Sequence, residues 1–142
     1  MVKIGGWLLL VTLMLPVISV AQEGAKVHPI DKALEACTDK NPSTGGESDC
    51  IEKAGEMWDQ ELNRAYNKLS GKLSPEGKQA LKEAQVEWIK YRDAEFKLIN
   101  TIYSSRQGTM YAPMHASART EVVKKRALEI QSYLDLLKID EP

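Results

Sequence analysis

The 142-residue chain is poor in the residues from which most enzyme sites are built: it has two histidines, His28 and His115, and two cysteines, Cys37 and Cys50. A Ser-His-Asp or Cys-His centre needs an imidazole beside its nucleophile. His28 falls in an aperiodic leader and His115 beside a loop, so neither suits that role. The chain also lacks H-E-x-x-H, the P-loop, G-x-S-x-G and G-x-G-x-x-G. No cofactor is implied. Two thiols separated by twelve residues lack the further ligands of a zinc site, so no metal is expected. Glu83 and Glu87 stand one helical turn apart and could in principle share a proton. Beside Lys82 and Lys90 they read instead as a solvated face. The chain therefore reads as a non-enzyme.

Charge of one sign is missing as well. The formal net charge is −1, and it becomes −2 if Lys3 is removed with a leader. Nothing here resembles the basic footprint that nucleic acid requires. The single basic run, Lys124-Lys125-Arg126, reads as a solvated helix face. No window alternates like a strand, no repeat occurs, and the length suits one domain with one modest core.

Residues 1–21 read as a secretory signal peptide. Met1, Val2 and Lys3 form a basic start, an uncharged run follows, and Ser19-Val20-Ala21 offers small residues at the −3 and −1 positions of a cut. The alternative is an uncleaved anchor, but the apolar run is short of the ~20 residues a spanning helix needs, and Pro16 interrupts it. No stable membrane insertion is expected after cleavage, and no cysteine follows Ala21 to carry a lipid. An exported chain meets an oxidising compartment, where the Cys37 and Cys50 pair reads as a disulfide. A periplasmic or secreted location follows.

The remainder, 22–142, reads as one helical domain with a core at about 37–138. Residues 22–29 are expected to be a mobile leader. Ile30, Leu34 and Cys37 suggest a short first helix, and "TDKNPSTGGESD" reads as a loop. Asp49 is expected to cap the second helix, with Glu52 three residues on. Ser74, Pro75 and Glu76 give three agreeing start signals for the third. The last helix is expected to start between Met114 and Ala118 and to end near Lys138, after the loop "SSRQGTMYAP". The predicted fold is all-α, a small bundle of three main helices plus a short N-terminal one. A polar network is expected where the second and third helices face each other, through Trp58, Asn63 and Tyr66 on one side and Gln85, Trp88 and Arg92 on the other.

The cysteine pair, W-D-x-x-L-N-x-x-Y (58–66), Q-x-x-W-x-x-Y-R-D (85–93) and "GTMYAPMHASARTEVVKKRALEI" together resemble the LprI-like lysozyme-inhibitor domain family, over residues 37–137. The resemblance implies a small exported helical protein and, as one partner, a lysozyme or other peptidoglycan hydrolase. Other readings are a periplasmic immunity protein against a delivered toxin, or an envelope structural or stress protein without an enzyme target. The family usually has cysteines at two positions occupied here by Phe96 and Ala118. A packed Phe96–Ala118 contact is expected in place of the second bridge. An inhibitor would present a cation, hydroxyls and apolar bulk to a carboxylate-bearing cleft. The candidate contacts are Arg106, Gln107, Met110 and Tyr111 in one loop, and Lys40, Ser43 and Thr44 in the other.

Overall fold

The structure is a computed structural model and describes residues 27–139. The signal-peptide reading of residues 1–21 lies outside the described residues. Four helices make up the fold: α1 Pro29–Lys40, α2 Thr44–Lys72, α3 Pro75–Ser104 and α4 Tyr111–Ile139. The domain is all-α, as the sequence predicts, and Cys37 is bridged to Cys50. At 1.5 Å per residue, the three long helices each run about 45 Å.

Each helix start is chemically marked. His28 accepts from the Ile30 amide through Nδ1 at 3.2 Å and caps α1. Its ring also lies 4.3 Å from that of Trp58, so the end of the presumed leader is anchored to the core. Ser74 caps α3, accepting from the Gly77 amide. Glu76 sits in that first turn, and its carboxyl is held below the ordinary carboxylate value by the local backbone amide and the Ser74 hydroxyl.

α2 starts five residues before the expected Asp49. Ser43 is the actual cap, accepting from the Gly46 amide at 3.1 Å. The Thr-Gly-Gly stretch that reads as loop is the first helical turn, and only residues 41–43 connect α1 to α2. Glycine is there for clearance: a Cβ on Gly46 would sit 2.8 Å from both Cβ and O of Asn41. α4 likewise begins at Tyr111 rather than between Met114 and Ala118. Pro113 falls in its first turn, where a missing N–H leaves no bond unmade.

Helices α2 and α4 form the closest-packed pair. Gly55 lets them approach: a Cβ there would meet Thr120 Oγ1 at 2.8 Å. Thr120 Oγ1 donates to the Ile51 carbonyl at 3.3 Å across the same seam. Trp58, Leu62 and Ile130 are its most deeply buried large side chains. Removing a buried residue of that size costs about 3–5 kcal/mol for Trp and 2–5 for Leu or Ile. α1 lies along one side of the pair. Lys124 reaches it through a 2.8 Å bond to Asp31, with its ammonium 5.3 Å from the Trp58 ring.

The expected α2–α3 network does not form. Asn63 is exposed and bonds back to Asp59 on its own helix. Tyr66 packs against the core. The partner of α3 is α4. Gln85 Oε1 accepts from Arg126 Nε at 3.2 Å. Arg126 and Arg92 lie 6.0 and 5.5 Å from the Trp88 ring, and Arg119 lies 4.0 Å from that of Phe96. Arg126, expected in solvent, is buried and bonded to Glu129 as well. Lys124 is only partly exposed. Positions 124 and 126 project about 200° apart on a helix, so one run serves both neighbours. Phe96 is half-buried against Arg119, and it lines a different groove from Ala118, so the expected Phe96–Ala118 contact is replaced by a cation–aromatic one.

Two substitutions one residue apart separate these requirements. Gly45 has nothing within 4 Å of a built Cβ. Gly45→Ala should be neutral or raise stability by up to about 1 kcal/mol through helix propensity. Gly46→Ala should lower it by about 1–3 kcal/mol through forced overlap. Urea unfolding of both variants checks the opposite signs. Replacing both cysteines with alanine should cost about 2–4 kcal/mol, read in the same experiment.

Candidate functional site

The helices alternate in direction along the chain, so α1 and α3 run opposite to α2 and α4. This follows from the pairings: Cys37 meets Cys50 while Asp31 meets Lys124, and Gln85 meets Arg126 while Phe96 meets Arg119. In such an order the α1–α2 and α3–α4 connections share one end of the bundle. The two segments singled out in sequence, some sixty residues apart, are thereby brought together.

They meet across a groove of about 620 Å³, lined by Thr44, Glu47 and Ile51 of α2, Tyr103 of α3, Met110 of the loop, and the first turns of α4. Arg106, Gln107 and Met110 are exposed in the six-residue connection after α3. Met110 is 59% exposed and Met114 45%, with Leu98 and Ile102 also open on the nearby end of α3. The Arg106 amide donates to the Tyr103 carbonyl at 3.0 Å, which fixes the start of the loop. Gly108 turns it, with φ +112°, a conformation that suits glycine. No ion pair holds the Arg106 side chain among the described residues. An unpaired guanidinium beside flexible apolar methionines suits a protein contact better than a catalytic step.

Not all candidate residues stand equal. Tyr111 is half-buried at the first position of α4, with its ring 4.0 Å from the Cβ position of Gly108. It supports the loop more than it presents a surface. Lys40 is the exposed last residue of α1, and Ser43 uses its hydroxyl to cap α2. Thr44 is half-buried in the groove wall. The disulfide braces a helix-to-helix corner, with the Asn41 amide donating to the Cys37 carbonyl at 2.9 Å. Glu83 and Glu87 are exposed and bonded to Gln79 and Lys90. Tyr103 and Glu47 were missed in sequence. Tyr103 falls in the last turn of α3 and carries no signal of its own in the sequence, and Glu47 lies in the stretch that reads as loop.

A family model described as lysozyme inhibitor LprI matches residues 37–130. The chain belongs to the LprI lysozyme inhibitor family. A crystal structure of an uncharacterized protein from Burkholderia thailandensis is similar at 31% sequence identity and a TM-score of 0.73, over 78% of this chain. The LprI chain spans 56% of that protein's length. No curated protein matches. The LprI match runs from the disulfide to Ile130 and so takes in both connections at the loop end. No helix among the described residues is long and apolar enough to cross a membrane.

The Gly108 turn is the local determinant of this surface. Gly108→Val should strain the loop by about 1–2 kcal/mol, since a β-branched residue disfavours positive φ. Amide exchange should accelerate at Tyr111 and Ala112, whose amides donate to the Gly108 and Thr109 carbonyls, while the α2–α4 seam stays protected, which hydrogen-exchange measurements can check.

Proposed function

We propose that this LprI-family protein acts outside the cytoplasm as an inhibitor that blocks a peptidoglycan-cleaving enzyme, presenting its loop end to the enzyme's cleft. The observation that carries the reading is that Thr44 and Met110 line one groove at the loop end, with Arg106 exposed in the same connection as Met110, all within the family-matched segment. The Cys37–Cys50 bridge and the signal-like N-terminal sequence support an oxidising, exported setting.

The chemistry fits such a target. A glycoside-cleaving site is a groove with two working carboxyl groups. Arg106 offers a fork of donors to a carboxylate, and Met110 offers apolar bulk to a sugar subsite. Gln107 adds amide donors and acceptors beside them. The inhibitor would contribute no catalytic step of its own and would work by occupying the cleft.

The test is lysis of peptidoglycan by goose-, chicken- and invertebrate-type lysozymes, with and without the oxidised protein at micromolar excess. Inhibition of at least one is expected. Arg106→Ala combined with Met110→Ala should weaken it by tenfold or more, as loss of an interface anchor does, with circular dichroism unchanged. No effect on any of the three would remove the lysozyme reading, and inhibition untouched by the double substitution would remove the loop.

A further inference from the structure

On the other side of α4 lies a second groove, of about 590 Å³, between α2 and α3. It opens because α3 packs on α4 and hardly touches α2. Ala116, Thr120 and Val123 of α4 line it, together with charged groups of both signs. Volume does not distinguish it from the loop-end groove; its chemistry does.

Arg119 enters from α4. Its guanidinium lies 4.0 Å from the centre of the Phe96 ring, and Nη1 donates to Asn100 Oδ1 at 3.1 Å. The same oxygen is 2.7 Å from His115 Nε2. Arginine only donates, so the shared atom is the amide oxygen and Nε2 of His115 carries a hydrogen. Tyr103 packs edge-on against the imidazole at 5.6 Å. The arginine is thus stacked and oriented, yet no carboxylate pairs with it among the described residues. An oriented guanidinium with donors to spare is the usual device for holding a carboxylate.

The α2 wall carries the opposite charge. Glu52, Glu56 and Asp59 recur at i, i+4 and i+7, so they share one face. Like charges four apart on a helix repel by a few tenths of a kcal/mol. Glu52 and Glu56 have no ion pair among the described residues, and Asp59 receives only the Asn63 amide. A cation brought to this wall would relieve that repulsion.

We propose that this groove binds a short peptide with free ends, its carboxylate on Arg119 and its ammonium on the Glu52, Glu56 and Asp59 wall. Because α3 packs on α4 and meets α2 at few points, the groove stays open between the acidic face of α2 and the Phe96–Arg119 pair. Trialanine, about 10 Å long when extended, carries both charged ends on a minimal chain. Phe96 provides the apolar surface beneath it. The site is separate from the loop end, so it stands or falls independently of enzyme inhibition.

The test uses the oxidised, isotope-labelled protein and trialanine, followed by amide chemical shifts. Saturable shifts are expected at Gly55, Asp59, Phe96 and Arg119. N-acetylation and C-amidation of the peptide should each weaken binding by at least fivefold. In Glu56→Gln/Asp59→Asn, which leaves only Glu52 on that wall, the penalty for N-acetylation should fall at least twofold, and in Arg119→Gln the penalty for amidation should vanish. Arg119→Lys, which keeps the charge, should retain part of the amidation penalty if Arg119→Gln proves unstable. No shifts at about 10 mM peptide, far above the Kd of even a weak specific site, would overturn the proposal. So would equal binding of free and doubly blocked peptides, or shifts confined to the loop end. Glu56→Gln/Asp59→Asn should leave any lysozyme inhibition unchanged, which separates the two sites.

Discussion

The close approach of α2 and α4 is the constraint on which the remaining structure depends. It requires a residue without a side chain at Gly55 and a short one at Thr120, where a Cβ would come within 2.8 Å of the hydroxyl. Ala54, Ala65, Ala116 and Ala127 are also buried in the core. Small residues let backbones come together, and the large ones, Trp58, Leu62 and Ile130, then fill the space on either side. Neither α1 nor α3 has a comparable core of its own. Each is an attachment to this pair, and each is held by a different kind of bond.

α1 is held by a covalent bridge at one end and by the His28–Trp58–Lys124–Asp31 group at the other. α3 is held by a ladder in which guanidinium and aromatic groups alternate, running from Arg126 through Trp88, Arg92 and Phe96 to Arg119. Such contacts each contribute about 0.5–2 kcal/mol. They also need wide side chains, which keep α3 at a distance from the α2–α4 pair. Only Leu81 and Ile99 of its thirty residues are buried. The grooves on both sides of α4 are a direct result of this spacing.

Helix number, the disulfide and the family were legible because they rest on local signals. Apolar spacing, a Ser-Pro-Glu start and two closely spaced cysteines each act over a few residues. The errors came where one residue type serves two purposes. Gly45 and Gly46 carry loop composition, yet Gly46 provides clearance against Asn41 inside a helix. Arg126 belongs to a basic run, yet it is the buried partner of Gln85. Helical periodicity told which residues of α3 face inward. It could not tell which helix they face, because α2 and α4 both present apolar stripes. The convergence of the two candidate loops is a consequence of topology and was invisible to composition. Of the loop residues, the exposed Arg106, Gln107 and Met110 stand where the sequence put them, whereas Ser43 and Tyr111 are drawn into helix starts.

The position of Phe96 connects the architecture to what the protein can do. Where the family resemblance leads one to expect a second disulfide, this chain has an aromatic ring under the Arg119 guanidinium. A bridge would contribute about 2–4 kcal/mol and fix the spacing of its two helices. A cation–aromatic contact contributes less and tolerates sliding. The α1–α2 corner, still bridged, therefore supplies a rigid wall of Thr44, Glu47 and Ile51 to the loop-end groove. The α3 side, which carries Tyr103 and leads into Arg106, is tied to α4 by side chains alone, through Tyr103 on His115 and through the Asn100 oxygen shared by His115 and Arg119. The two walls of the loop-end groove are thus joined to the bundle in different ways, one by a covalent bond and one by stacking and hydrogen bonds. The stacked arginine also leaves an oriented cation in the groove that the acidic face of α2 lines.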